Sequence, residues 1–380
     1  MQEVKKRRIV LASLLKPVDD TRMYEKLGST LASSYEVHVI GLPAKSTSSA
    51  GNIHFIPLAP YSRTSLKRLL ASWRVFQTVL RLRPDLLIVC TPELLPIALC
   101  VRALCGSRIA YDIHENYTRN ILQGDAWPRL LRPLLALAVR TVEYITSPAV
   151  SHFLLAEQAY ADELTFIRRD YSIIENKLVR IGHLFDRSPR TTRSVSQQEK
   201  PLRLLFSGTL AETTGVFTAI SLAKRLHLND VNIHLSVVGY AAQNKVRTEL
   251  KELARNCGFI DLVGVDSLVP HSKILAAIGQ ADFGIIAYPK NPSTWSSYPT
   301  KLYEYLGCGL PILLIDNPKW TAYCAPYRAA VVFPADNPLA NPTTLLAEMR
   351  EGPFYVKPPE NVFWDSEAPK LLQAVSKIFS

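Results

Sequence analysis

Short runs of β-branched and apolar residues alternate with longer stretches of helical period from the start of the chain. RIVLASL (8–14), EVHVIGL (36–42), HFIPLA (54–59), DLLIVCT (85–91), RIAYDIH (108–114), YITSP (144–148) and YSIIEN (171–176) read as strands, with helices between them. In one of those intervals Leu66, Leu69, Leu70, Trp73, Phe76, Val79 and Leu80 recur near the 3.6-residue period with Arg and Lys opposite, the pattern of a helix with one apolar face. The periodicity disappears beyond Gly182, where DRSPRTTRSVSQQEK is polar and rich in Ser and Thr, as a linker is. A second series follows: LRLLFSGTL, NIHLSVVGY, IDLVGV, DFGIIAYP, PILLID and AVVFPA.

Strands that alternate with helices build parallel sheets, so the expected fold is α/β: two Rossmann-like, doubly wound domains facing a central cleft. The boundaries read as residues 1–182, a linker over 183–200, a second domain over 201–355, and a segment 356–380 that packs back on the first domain. Length agrees, because 380 residues exceed what one hydrophobic core usually supports. With 48% hydrophobic and 20% charged residues, the chain is expected to fold throughout.

Charge separates the halves. Residues 1–200 hold 28 Lys and Arg against 18 Asp and Glu, while residues 201–380 hold 16 against 15, so nearly all of the net +11 lies in the first half. That asymmetry suits an anionic partner for the first domain, whether a nucleic acid, an acidic membrane surface or a phosphorylated acceptor; a solvated basic face is the plainer alternative. No recognised nucleic-acid module accompanies it, so nucleic acid is not expected. Arg63, Lys67, Arg68, Arg74, Arg81 and Arg83 sit on or beside the long first-domain helix, and Arg129, Arg132 and Arg140 punctuate WPRLLRPLLALAV. Basic residues bordering apolar helix faces fit peripheral membrane contact, unless those faces are core. The six cysteines show no Cys-x-x-Cys spacing, which points to a reducing compartment and no structural metal. The opening KKRRIVLASLLK reads as a strand, since Lys16 and Pro17 end its apolar stretch, and no run approaches the ~18 apolar residues of a membrane span. The expectation is a cytoplasmic protein, attached at most to the membrane's inner face.

The segment with most chemical content is SSYPTKLYEYLGCGLPILLID (296–316). Its middle reads as a helix on which Lys301 and Glu304, three residues apart, share a face near the N-terminus, where free N–H groups and the dipole favour phosphate. LLFSGTLAETTGV (204–216) reads as a strand, a glycine-containing loop and a helix, a form that presents backbone amides to an anion at Gly208 and Thr209. In the first domain, YDIHENYTRN (111–120) ends a strand on Asp112, His114 and Glu115, with Asp112 and His114 on one side by alternation.

These segments resemble the retaining GT-B glycosyltransferases of family four, whose donor motif ends in a Glu, a short apolar run and Gly-x-Pro, as EYLGCGLP does here. The resemblance implies that Glu304 contacts the donor ribose and Lys301 the donor phosphates. It implies that the Gly208–Thr209 loop lies against those phosphates, that Gly239, Tyr240 and the stretch around Val265 border the nucleotide, and that His114, beside Asp112, reaches the donor sugar. Three positions depart from the commoner pattern: Ser296 stands where a Glu is usual, and Thr209 and Thr214 where cations are, which leaves a Pro-x-Lys-x-x-Glu variant leaning on Lys301. The loop after the first strand usually meets the acceptor in this fold, which makes Asp19, Asp20 and Arg22 acceptor-side candidates, with Glu93 in reserve.

The function implied is transfer of a sugar from a nucleotide-sugar donor to a glycan or polyprenyl-diphosphate-linked acceptor in bacterial surface polysaccharide assembly. Configuration is retained and no cofactor or metal is expected, there being no Asp-x-Asp motif. A nucleotide-sugar 2-epimerase of the same fold and a noncatalytic sugar-nucleotide-binding protein are the alternatives.

Overall fold

The structure is a computed structural model that describes residues 6–44, 51–61, 65, 67–124, 127–180, 201–292 and 294–380; the expected linker over 183–200 lies outside them. The chain forms two units, one of Met1–Val179 with Trp364–Ser380 and one of Arg180–Phe363.

The first unit is built on seven parallel strands: β1 (Arg8–Pro17), β2 (Glu36–Leu42), β3 (Ile53–Pro57), β4 (Leu86–Val89), β5 (Arg108–Ile113), β6 (His152–Leu155) and β7 (Tyr171–Ile173). Their order is β3-β2-β1-β4-β5-β6-β7, so the strand order reverses between β1 and β4 while every pairing stays parallel. One apolar layer, around Val10, Val89 and Phe153, is covered by helices α1 (Lys67–Leu82), α2 (Leu95–Cys105) and α3 (Arg132–Thr146). The layer on the opposite face, around Leu11, Val39 and Ile88, is closed in part by the C-terminal helix α7 (Ala368–Phe379), which buries Leu371, Ala374, Val375 and Ile378 there.

One expectation fails in this unit. Residues 144–148 are not a strand: α3 runs through Thr146, whose hydroxyl donates back to the Val142 carbonyl at 2.7 Å, and a 3₁₀ turn over Ser147–Ala149 follows it directly, with Pro148 in its first turn. The strand is instead the fully buried HFLL of β6. The apolar stripe of α1 divides between core and solvent, with Phe76 and Leu80 packed partly buried against the core. Ala71, Val75 and Val79 are buried, whereas Leu69, Leu70 and Trp73 are exposed.

The second unit holds six parallel strands: β8 (Leu202–Thr209), β9 (Ile233–Tyr240), β10 (Ile260–Val265), β11 (Phe283–Ile286), β12 (Ile312–Ile315) and β13 (Ala330–Phe333), ordered β10-β9-β8-β11-β12-β13. Counted from its own first strand this is the 3-2-1-4-5-6 order of a dinucleotide-binding fold, with its reversal between β8 and β11. Helix α4 (Val216–His227) follows β8, α5 (His271–Gln280) precedes β11, and α6 (Thr300–Gly307) precedes β12. The unit extends past the expected boundary at 355 because residues 355–361 are strapped to it. The N–H groups of Tyr355 and Val356 donate to the carbonyls of Arg328 and Tyr327, and the hydroxyls of Tyr323 and Tyr327 donate to those of Asn361 and Glu360.

Candidate functional site

In an open α/β sheet a ligand crevice lies beyond the carboxyl ends of the strands where strand order reverses. In the second unit that point lies between β8 and β11, which pair only through Phe283↔Leu204 and Gly284↔Leu205 before they part. Lys301, in the first turn of α6, occupies the gap. Its ammonium lies 3.9 Å from the centre of the Phe206 ring and 5.1 Å from that of Tyr288. The residue is only 4% exposed, and its Nζ finds no hydrogen-bond partner among the described residues. Burial pushes its pKa down to about 7, opposed by the carboxylate of Glu304. A buried amine without an acceptor costs stability, and no described residue supplies one, so the position suits an anionic ligand.

The neighbouring backbone is shaped to admit one. Gly208 has φ +99°, and a Cβ there would meet only the Lys301 Cε, at 3.9 Å. Gly208 pairs with Gly239 on β9, and Gly239 with Gly264 on β10, so three glycines stand abreast at the ends of adjacent strands. A Cβ on Gly239 would lie 1.8 Å from the Gly208 carbonyl oxygen, so packing alone demands that glycine. Beyond Thr209, which is exposed, the Thr214 hydroxyl accepts from the Ala211 N–H at 3.1 Å and donates to the Thr209 carbonyl at 2.8 Å, tying the turn that leads into α4. Tyr240 pairs with both Thr209 and Val265, which puts these three residues on one edge of the sheet.

Glu304 lies one turn beyond Lys301 on α6 and pairs with His271 Nε2 at 3.0 Å. His271 opens α5, 33 residues earlier in the chain, and no spacing in the sequence signals it. Ser296, where a Glu was expected, has its carbonyl taken by the Lys319 ammonium at 2.6 Å.

In the first unit the carboxyl end of β5 gathers a second group. Asp112 is wholly buried; the Arg22 guanidinium binds both its oxygens, with the closest contact at 2.6 Å, and His114 Nε2 bonds the same carboxylate. Burial alone would raise the Asp112 pKa, but Arg22 and then His114 hold it well below the usual range. Arg22 was expected to face an acceptor. Its side chain is 3% exposed and divided between Asp112 and the Ile174 carbonyl, a position chosen by the π-helical turn Thr21–Gly28 that carries it inward. Asp20 starts that turn by accepting from the N–H groups of Arg22 and Met23 at 2.9 and 3.0 Å. Burial works against its ionisation, yet Lys16, His114 and those two amides keep its pKa low. Asp19 is half-buried nearby, and Glu93 pairs with Arg68. Cys90, Asp112 and His114 bring ligand atoms within 4.8 Å of one another, with Arg22 already supplying the positive charge at that carboxylate.

Two doubly wound units of this strand order define the class: the chain has the GT-B fold. Residues 189–341, which take in most of the second unit, match the family model of the glycosyl transferases group 1. The sucrose-phosphate synthase of Thermosynechococcus elongatus is similar over 98% of this chain and 99% of its own, with TM-score 0.68 and 14% identity. Anabaena HepE in complex with UDP is similar over 98% and 100%, with TM-score 0.63 and 13% identity. A UDP-forming α,α-trehalose-phosphate synthase from Burkholderia xenovorans is similar over 99% and 100%, with TM-score 0.62 and 13% identity. No curated protein sequence matches the chain.

Proposed function

We propose that the protein is a retaining, metal-independent glycosyltransferase of the family-four type, which moves a sugar from a nucleoside diphosphate to an acceptor hydroxyl. The acceptor is a glycan or a polyprenyl-diphosphate-linked glycan of bacterial surface polysaccharide assembly. The observation that carries the reading is Lys301: a buried amine without a hydrogen-bond partner among the described residues, beside an open glycine, in the crevice of the unit that matches the group 1 glycosyl transferases. In the reaction the acceptor oxygen bonds to the anomeric carbon as its O–H bond breaks, the bond from that carbon to the diphosphate oxygen breaks, and the departing nucleoside diphosphate takes the electron pair and the acceptor's proton. The charge that must be stabilised is then on the departing diphosphate. Lys301 supplies a cation there, the Gly208–Thr209 turn supplies backbone N–H groups, and Glu304, fixed by His271, accepts from the ribose. His114, oriented through Asp112 and Arg22, is assigned to the donor sugar. Two of the similar proteins carry UDP in their names, which makes UDP the first probe.

UDP is expected to raise the melting temperature of the protein, because a ligand of the native state alone stabilises it by mass action. In Lys301→Ala that shift disappears while the circular dichroism spectrum stays unchanged. An undiminished shift in the variant puts the donor elsewhere and overturns the assignment.

A further inference from the structure

We propose that the outer face of α1, α2 and α3 is a docking surface for an anionic membrane. The three helices pack side by side over one face of the first sheet, α1 against α2 and α2 against α3. Each turns large apolar side chains away from that sheet. Leu69, Leu70 and Trp73 on α1 and Leu104 on α2 are all more than half exposed. On α3, Leu134, Leu137 and Ile145 are likewise more than half exposed, and Leu130 just before it is 90% exposed.

These side chains form a pattern. At about 100° per residue, Leu134, Leu137, Ala138, Thr141 and Ile145 fall on one stripe of α3, opposite the buried Ala136 and Glu143, and that stripe carries no charge. On α1 the exposed apolar stripe is bordered by Lys67, Arg74 and Arg81, all exposed. Across the three helices the one acidic residue is Glu143, and it is buried. A water-facing helix normally mixes both signs of charge, so apolar stripes with a wholly basic margin match the boundary between acyl chains and anionic headgroups.

Charge also selects among occupants. A second copy docking through the same patch would set this basic margin against its own image, whereas an anionic lipid surface complements it. No helix of the described chain is long and apolar enough to cross a membrane, so attachment here lies in the plane of the interface. The proposal extends the acceptor side of the functional reading and does not depend on the donor site.

The experiment is flotation of the full chain with vesicles of phosphatidylcholine alone and with roughly 30% phosphatidylglycerol, repeated at about 0.5 M salt. The wild type is expected to float with the anionic vesicles and to release partly in salt. Leu134→Glu/Leu137→Glu, at exposed positions, is expected to bind at least about ten-fold more weakly. The circular dichroism spectrum and the cooperativity of thermal unfolding, measured on the same preparations, stay as in the wild type and show that the variant is folded. If the wild type does not float, or the variant floats as well as the wild type, the surface is not a membrane site. If sedimentation velocity gives a dimer that the double variant abolishes, the face belongs to a second copy and the proposal falls.

Discussion

A lysine ammonium stripped of water and offered no acceptor gives up its proton more readily, and Lys301, with a pKa of about 7, does so near neutrality. Unliganded, the folded protein binds fewer protons at this residue than the unfolded chain between pH of about 7 and 10.5. The lysine therefore lowers stability fully below that window, and stability recovers as pH rises through it. A diphosphate in the crevice reverses the preference by favouring the charged amine. Above pH of about 7 nucleotide binding must then take up a proton, and affinity is expected to fall by up to about ten-fold per pH unit. Titration calorimetry between pH 7 and 9, in two buffers of different ionisation enthalpy, measures both effects; Lys301→Arg, whose guanidinium stays charged throughout, should give a flat profile without proton uptake. The identity and spacing of Lys301 and Glu304 were legible in the sequence because three residues on a helix fix a shared face. His271 was not, because it comes from a different helix and meets Glu304 only once both pack beside the sheet.

At the scale of elements, α3 shows how one helix serves two environments. Its inner face places Glu143 in the core, where burial raises the carboxyl pKa to about 7 against the pull of Arg140 and the Tyr111 hydroxyl. The folded state then binds more protons than the unfolded chain between pH 4.5 and about 7, so this group's contribution declines as pH rises across that window and stays low above it. Glu143→Gln should leave stability near the wild-type value at the acid end and exceed it by about 1 kcal/mol or more at pH 8, as chemical denaturation at both pH values will reveal. The same helix exposes why 144–148 misleads as a strand. Tyr, Ile and Thr favour strands locally, but here they continue a helix that buries Glu143 and Thr146 against the sheet. The stripe of α1 carries the parallel lesson. Periodicity shows that a helix has an apolar face without showing how much of it is covered: the core took Val79 of that stripe together with Ala71 and Val75, and left Leu69, Leu70 and Trp73 outside.

At the scale of the whole molecule, the C-terminus is part of the first unit. The Trp364 N–H donates to the Leu178 carbonyl at 2.8 Å, and buried Glu367 accepts from the Glu175 N–H and from the ammonium groups of Lys177 and Lys370. These bonds seat α7 so that Leu371 is wholly buried against the layer containing Met23 and Leu27. Leu371→Ala is expected to cost about 2–5 kcal/mol in denaturant unfolding. The UDP-induced rise in melting temperature should persist in that variant, because the proposed diphosphate contacts belong to the second unit. Loss of the UDP effect together with the stability would tie donor binding to the first unit's packing.

The sequence by itself determined the α/β class, twelve of the thirteen strands among the described residues and the segments that end at chemically loaded positions. Alternation, helical period and glycine placement are local properties, and local properties survive without a fold. Tertiary structure decided what depends on distant residues. It turned Arg22 inward onto Asp112, gave Glu304 its histidine, buried Lys301 without a hydrogen-bond partner among the described residues, and left Leu69, Leu70 and Trp73 of α1 and the stripe of α3 facing away from the sheet. Burial and pairing are set by which surfaces meet, and a single chain's pattern does not contain that.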